Sequence, residues 1–540
     1  MERRKFIKIS ALSSASTLLL NGRKVSAFSK TALLNQIPAS VVEGRSLVLI
    51  QLLGGNDGLN TLIPLNQYDD YASLRPTLKL KNTGINAAVN LDGTLPLEDQ
   101  MLLHPALKGF KTLYDEGKLN VINSVGYPSI TKSHFAGRAL WLNGGDGTPE
   151  NANKTSGWMA RFIHSGYNYN DFSDPLGIQL GSKKPSLGFH SEHEHKADVN
   201  LTGQDVSGYY SVISNIGNPE PENIPNSEFG DNLEFIAQTE AATNSYSQRI
   251  SEVFDIGSNS AVVYPDYDLA DQLKTVARMI KGGSKTKIFL VTANGYDTHA
   301  DQVASDGNTH LGRHSELLTE LGDSVKAFHD DLEAMGVDEK VVSATFTEFG
   351  RKPLENGNYG SDHGNLGPMF VIGSTVNAGV TGTNINLSSV IKHFDEGQMQ
   401  HDYRQVFTTL ITDFLGASSD VVNATEFSDF DGDQKLDLIQ ASHKLLDVDY
   451  KVPNEIKLLV YPNPIIEDFV LKFDSSITFR GYVVLYNMLG AIVLKLPHDF
   501  KYGMNILSPI DVRNIEQGYY ILAIKDGLNK TIDKQRLLIK

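Results

Sequence analysis

A doubly wound, mostly parallel α/β sheet followed by a small all-β sandwich is the fold class the sequence predicts. Three observations predict it. Short apolar runs at Ser46–Leu53, 119–125, 287–292 and 341–346 each stop at a cluster of Gly, Asn, Asp, Glu or Pro. Runs of that length, continuously apolar, read as central strands buried on both faces. Between the later runs, residues 311–335 place Leu317, Leu318, Leu321, Val325, Phe328 and Leu332 at helical spacing. From residue 456 the pattern changes to alternating strand-like runs punctuated by Pro462, Pro464, Gly490, Gly503 and Gly518. The expected organisation is an export signal at 1–27, an α/β body at 40–420, a linker at 421–455 and the β-unit at 456–540.

Composition narrows the function. The chain has 540 residues, 40% of them hydrophobic, a formal net charge of -16 and no cysteine. That length allows one large core and a second domain. A strong negative balance argues against a nucleic acid as partner. The lack of thiols excludes disulfides, thiolate metal sites and a cysteine nucleophile. The segment after Lys457 carries more Lys and Arg than Asp and Glu, so the acidic excess belongs to the body. A bound cation there would still attract an anionic substrate, because it dominates its local field.

The two ends read as addresses. Arg3-Arg4-Lys5-Phe6-Ile7-Lys8 is a twin-arginine pattern, followed by a weakly apolar run at 9–20 and a small-residue site at Val25-Ser26-Ala27. The apolar run is too short and too serine-rich to anchor the chain, and no later run is long enough to span a membrane. At the other end stand Tyr461-Pro462-Asn463-Pro464, Leu485-Tyr486-Asn487-Met488-Leu489-Gly490, Gly518-Tyr519-Tyr520-Ile521-Leu522 and a basic terminus. In that order these pieces resemble the C-terminal type A sorting domain of the type IX secretion system. The arginine pattern points to the twin-arginine machinery as a partner, and the resemblance implies the type IX machinery and passage to the cell surface or medium.

The chemistry-bearing residues sit where the apolar runs end. Asp57 closes Gly54-Gly55-Asn56-Asp57-Gly58; Asp297 and His299 follow the third run; Asp362 and His363 come after the fourth and a glycine-rich loop. Carboxylates and imidazoles are ligands that divalent metals choose, and open α/β sheets gather ligands at strand ends. Asn-Asp-Gly is also an ordinary turn. Ser133, ahead of Thr131, stands at a helix start, where a hydroxyl is either an N-cap or a nucleophile facing oxyanion-stabilising amides. His310 and His314 open the long helix and can face back toward Asp297 and His299. Glu348 and Arg351 form an ion pair or supply a ligand and an anion clamp. Arg404 binds an anion or makes a structural salt bridge. Asp429, Asp431, Asp433 and Asp437 have calcium-loop spacing, without the usual final glutamate, and read equally as an acidic turn. Residues 200–232 read as a long surface excursion.

Taken together, Gly54–Gly58, Ser133-His134-Phe135, Gly157-Trp158 with Arg161, Gly295–His299, Glu348–Arg351, Asp362-His363-Gly364 and Asp402-Tyr403-Arg404 resemble domain-of-unknown-function family 1501, grouped with the alkaline phosphatase and sulfatase superfamily. The resemblance implies one or two divalent metal ions, zinc first, with magnesium, manganese or calcium as alternatives. Asp57, Asp362 and His363 would hold one; Asp297, His299 and His314 the other. Glu348 occupies the strand end where the superfamily places its Asp-His pair, and His393 and His401 are candidates for a last histidine ligand. The implied reaction is hydrolysis of a small phosphate or sulfate ester, with Ser133 attacking and Arg351 or Arg404 steadying the anion. The alternative is a catalytically inactive surface-binding or scaffold protein on the same fold.

Overall fold

The computed structural model describes residues 16–20, 23–28, 44–149, 154–167, 174–182, 186–190, 249–250, 252–365, 367–388, 397–445, 458–475, 479–487, 491–501, 503–526 and 531–540. The twin-arginine residues, the excursion at 200–232 and His393 lie outside them. Two compact units divide the chain, Met1–Asp447 and Val448–Lys540.

A ten-stranded sheet organises the first unit. Its strands are β1 (Ser16–Leu20), β2 (Arg23–Phe28), β3 (Ser46–Leu53), β4 (Leu119–Gly126), β5 (Gly177–Leu180), β6 (Ile288–Asn294), β7 (Val341–Thr347), β8 (Gly367–Ile372), β9 (Gly379–Thr381) and β10 (His401–Asp402). They run in the order β1-β2-β5-β6-β3-β7-β8-β4-β9, with β10 also on β4. The centre is parallel, β5 to β6, β6 to β3 and β3 to β7. All four expected runs are strands of this sheet.

The sheet is mixed rather than mostly parallel. β8 lies antiparallel to both β7 and β4, and the β1–β2 hairpin joins β5 antiparallel. The reason lies in what the link from β7 to β8 is made of. A parallel return needs a crossover of a dozen or more residues, usually a helix. Here the link holds instead a small hairpin, Arg351–Glu355 against Ser361–His363. The chain therefore comes straight back, and it carries Asp362 and His363 on the way.

Alternation along β3 shows how the layers form. Val48, Ile50 and Leu52 enter one apolar core with Leu273, Leu317, Leu321 and Phe328, from helices Asp268–Lys281 and Arg313–Ala334. Leu47 and Leu49 enter the other with Trp141, Trp158 and Phe407, from helices His134–Asn143, Trp158–Gly166 and Tyr403–Thr409. Helices thus cover both faces, which is why the central strands are continuously apolar.

The second unit contains two antiparallel sheets. One joins Leu458–Tyr461, Asp468–Ser475 and Gly503–Asp511; the other joins Ile492–Phe500, Phe479–Asn487, Gly518–Asp526 and Thr531–Ile539. Their inward residues, among them Phe469, Leu471, Val483, Leu485 and Leu522, close a single core. The peptide bonds before Pro462 and Pro464 are cis.

Candidate metal centre

Two loops and one helix start meet beyond the ends of β6 and β7. Gly54, just past β3, makes the approach feasible: its φ is +126°, and a Cβ there would lie 2.3 Å from the Asp297 amide nitrogen. Only glycine lets the loops after β3 and β6 lie that close. His134, Asp297 and His363 there offer ligand atoms all within 4.8 Å of one another.

The protonation logic of this cluster favours a cation. His363 Nδ1 lies 2.9 Å from the Lys132 carbonyl oxygen, which can only accept, so Nδ1 carries the proton. Nε2 of the neutral ring is then a lone pair, and it sits 3.1 Å from Asp297 Oδ1 and 2.9 Å from His299 Nε2. His134 repeats the pattern. Its Nδ1 is 3.0 Å from Glu348 Oε1, and its Nε2 is 3.3 Å from Asp297 Oδ2. A neutral ring has one proton to give. Both nitrogens of this ring therefore face carboxylate oxygens. Acceptors facing acceptors need a proton or a metal between them. A histidine held by a carbonyl or carboxylate through its other nitrogen is the usual form of a metal ligand.

Around this set, Asp362 Oδ1 receives His299 Nδ1 at 3.2 Å and Asn356 Nδ2 at 3.3 Å. Partial burial pushes the Asp297 carboxyl up, but the Arg351 guanidinium beside it pulls the other way, and the net position is about 2. Asp362 is likewise lowered, with burial opposed by the Asn356 and His299 contacts. Burial lowers His363, and its Asp297 partner offsets that only in part. Both carboxylates are ionised at neutral pH and His363 is poised neutral, the states that metal ligation requires.

The structure brings Asp297, His299, Asp362 and His363 together, with Arg351 bonded to Asp297, and commits Asp57 and His314 to other partners. Asp57 is fully buried, caps a short helix through Leu59 N and Asn60 N, and pairs with Arg75 at 2.5 Å and Gln302 at 2.5 Å. Burial raises its carboxyl, but Arg75 more than compensates, and the net direction is downward. It serves that ion pair. His314 binds Asn56 through Nε2 at 3.0 Å, and burial pushes it down to about 4. Glu348 touches the cluster only through His134. Its Oε1 also accepts the Gly54 amide at 2.9 Å, and Oε2 is buried without a hydrogen-bond partner among the described residues.

Arg351 is a brace. Its guanidinium donates to the carbonyls of Gly54, Gly55, Tyr296 and Ser361 and to Asp297 Oδ1, and its side chain is wholly buried. Arg404 pairs with Asp402 and Asp146, neither of them in the cluster. His401 Nδ1 faces Gln405 and His310 faces Asn86. Asp437 pairs with Lys444 and Asn377, Asp431 binds the amide of Gly432, and the four aspartates form no group of converging ligands among the described residues. Ser133 is exposed at the N-cap of its helix, where its side chain makes no capping bond. It stands between Lys132, whose carbonyl holds His363, and His134. The residue that the search for ligands missed was His134. Its signal was its place one residue after a hydroxyl at a helix start.

The comparisons bear on identity. The model of a protein family of unknown function, DUF1501, matches residues 44–393. This chain belongs to that family. A secretion system C-terminal sorting domain matches residues 459–540, so the DUF1501 protein is exported to the cell surface or beyond. No helix among the described residues is long and apolar enough to cross a membrane. No curated protein matches.

Solved structures similar to this DUF1501 chain include a Bacteroides thetaiotaomicron protein of a genetic locus for the metabolism of multiple glycosaminoglycans. It is 8% identical over 91% of this chain and 89% of that one, with a TM-score of 0.31. The lipoteichoic acid synthase LtaP of Listeria monocytogenes is 11% identical over 64% and 67%, with a TM-score of 0.26. Ps i-CgsB, solved with k-i-k-neocarrahexaose, is 11% identical over 79% and 82%, at 0.30. Scores this low carry no functional argument.

Proposed function

We propose that this DUF1501 protein is an exported, metal-dependent hydrolase of phosphate or sulfate esters. The observation that carries the reading is the convergence of His134, Asp297 and His363, whose ligand atoms all lie within 4.8 Å of one another. Those three residues would hold one divalent ion, zinc first given two imidazoles and a carboxylate. When bound, such an ion neutralises charge on the reacting ester and polarises its oxygens. The twin-arginine signal and the sorting domain would deliver the chain in sequence, folded before the first crossing.

The chain's own residues divide the remaining work. Ser133 Oγ attacks phosphorus or sulfur, and the bond to the ester's leaving oxygen breaks. His299, steadied by Asp362, takes the hydroxyl proton and returns it to the leaving alcohol. Water then cleaves the seryl ester by the same proton path in reverse. Glu348 holds His134 in the tautomer that turns Nε2 toward Asp297. Arg351 keeps the three loops in register.

A second reading has a specific observation in its favour. Arg351 is committed to carbonyls and Arg404 to carboxylates, so neither offers an anion clamp, which suits a metal-carrying surface binder without turnover. One experiment separates the two. Zinc- or manganese-loaded protein is screened with 4-nitrophenyl phosphate, bis(4-nitrophenyl) phosphate and 4-nitrophenyl sulfate. The hydrolase reading expects turnover that is lost in Ser133→Ala and in His363→Ala. Metal-loaded protein inert toward all three esters would overturn it in favour of the binder.

A further inference from the structure

We infer that the ester taken by this site is carried on a polysaccharide, and that the exposed rings of Phe135 and Tyr359 stack against its sugars. The inference rests on the ester-hydrolase reading and adds its substrate class. Its first support is the openness of the cluster. The side chains of Asp297, His299 and Asp362 are 46%, 43% and 36% exposed. Sites for small ligands are concave and bury most of the ligand. An open site must draw binding energy from parts of the substrate remote from the reacting bond.

The second support is two exposed aromatic residues close in sequence to the cluster. Phe135 follows His134 directly and is 87% exposed, in the first turn of the helix that carries the cluster's histidine. Tyr359 comes from the opposite direction in sequence. Its loop is tied to the cluster by Asn356, whose side-chain amide donates to the His299 carbonyl at 2.8 Å and to Asp362. Gly360, next in the chain, packs so closely that a Cβ would lie 2.1 Å from the His299 oxygen. Tyr359 itself has φ +51° and is 39% exposed. A left-handed backbone at a non-glycine residue is unfavourable and tends to be kept where a side chain is being aimed for use.

An exposed aromatic ring carries an unfavourable hydration cost until something covers it. The C–H faces of a pyranose cover a ring face well, and sugar hydroxyls remain in water. Two rings within one residue of the cluster or its bracing loop suit a chain of sugars bearing a sulfate or phosphate between them. Export through the sorting domain places the protein where such polymers occur.

The test reads binding separately from turnover. Zinc-loaded full-length protein is titrated calorimetrically with sulfated, phosphorylated and uncharged dextran oligosaccharides. The sulfated and phosphorylated arms distinguish the two ester sources. The expected result is binding of at least one charged oligosaccharide, weakened roughly ten-fold in Phe135→Ala and again in Tyr359→Ala, about 1.4 kcal/mol each. Zinc content by mass spectrometry should stay at the wild-type level in both variants. Unchanged affinity in the double variant, or no binding of either charged oligosaccharide by the wild type, overturns the substrate class. Hydrolysis of the small 4-nitrophenyl esters would persist in that event, which separates this failure from failure of the hydrolase reading.

Discussion

His363 Nε2 and Asp297 Oδ1 face each other across 3.1 Å although 66 positions separate them in the chain. With the other histidine nitrogen committed to a carbonyl, the pair is short of a proton. The proposed cation would resolve that shortage at neutral pH. Replacing His363 by Ala, or Asp297 by Asn, should therefore lower zinc affinity by more than ten-fold while the fold persists, as read by calorimetric titration and circular dichroism. Equal zinc affinity in both variants would remove the metal centre.

Glu348 reaches the proposed metal site through His134. Second-sphere partners of this kind are worth 10–100-fold in metal affinity. Glu348→Gln should keep the Gly54 contact and part of the affinity, and Glu348→Ala should lose about 10-fold or more. A Gln variant no better than Ala would mean that the carboxylate's role lies elsewhere.

Asp57 and Arg75 make a fully buried ion pair at 2.5 Å. Removing one partner strands the other charge, at a cost of about 3–5 kcal/mol. Asp57→Ala should show that loss in urea unfolding, with zinc stoichiometry in the folded protein unchanged. Loss of zinc without loss of stability would restore Asp57 as a ligand.

His329 is buried beside Ser343, and burial pushes its imidazole down to about 3 from an ordinary 6.5. Lys118 and Lys326 add to the same direction. The unfolded chain binds this proton below about 6.5 and the folded chain only near 3, so stability falls as pH drops through that window. His329→Gln should flatten the acid limb of the stability curve between those values. An unaltered slope would show that other groups dominate it.

Gly54→Ala combines a forbidden φ with a 2.3 Å approach to Asp297 N. It should destabilise the protein and weaken zinc binding together, because the carboxylate must move with its backbone. Retained zinc affinity in a less stable variant would separate the two effects.

Much of the fold was legible because the central strands are buried on both faces and so are continuously apolar, and the sorting unit because its strands alternate around one core. The antiparallel β8 was harder to read. Its direction depends on a hairpin between β7 and β8 whose two strands are five and three residues long. At the site, residues 297, 299, 362 and 363 announced themselves as Asp and His at strand ends. Asp57 has the same local signature but a different fate, because its partner Arg75 comes from another loop and nothing near Asp57 in sequence marks the pairing. His134 was obscured by the serine before it.

Arg351 ties together carbonyls contributed by the loops after β3 and β6 and by the hairpin that follows β7. None of those acceptors is in place until distant parts of the sheet have closed. On the proposed metal reading, a half-made chain would present scattered weak ligands, and selective capture would wait for the finished body. Whichever compartment completes that closure would then decide, through its own supply of ions, which metal the protein carries outward.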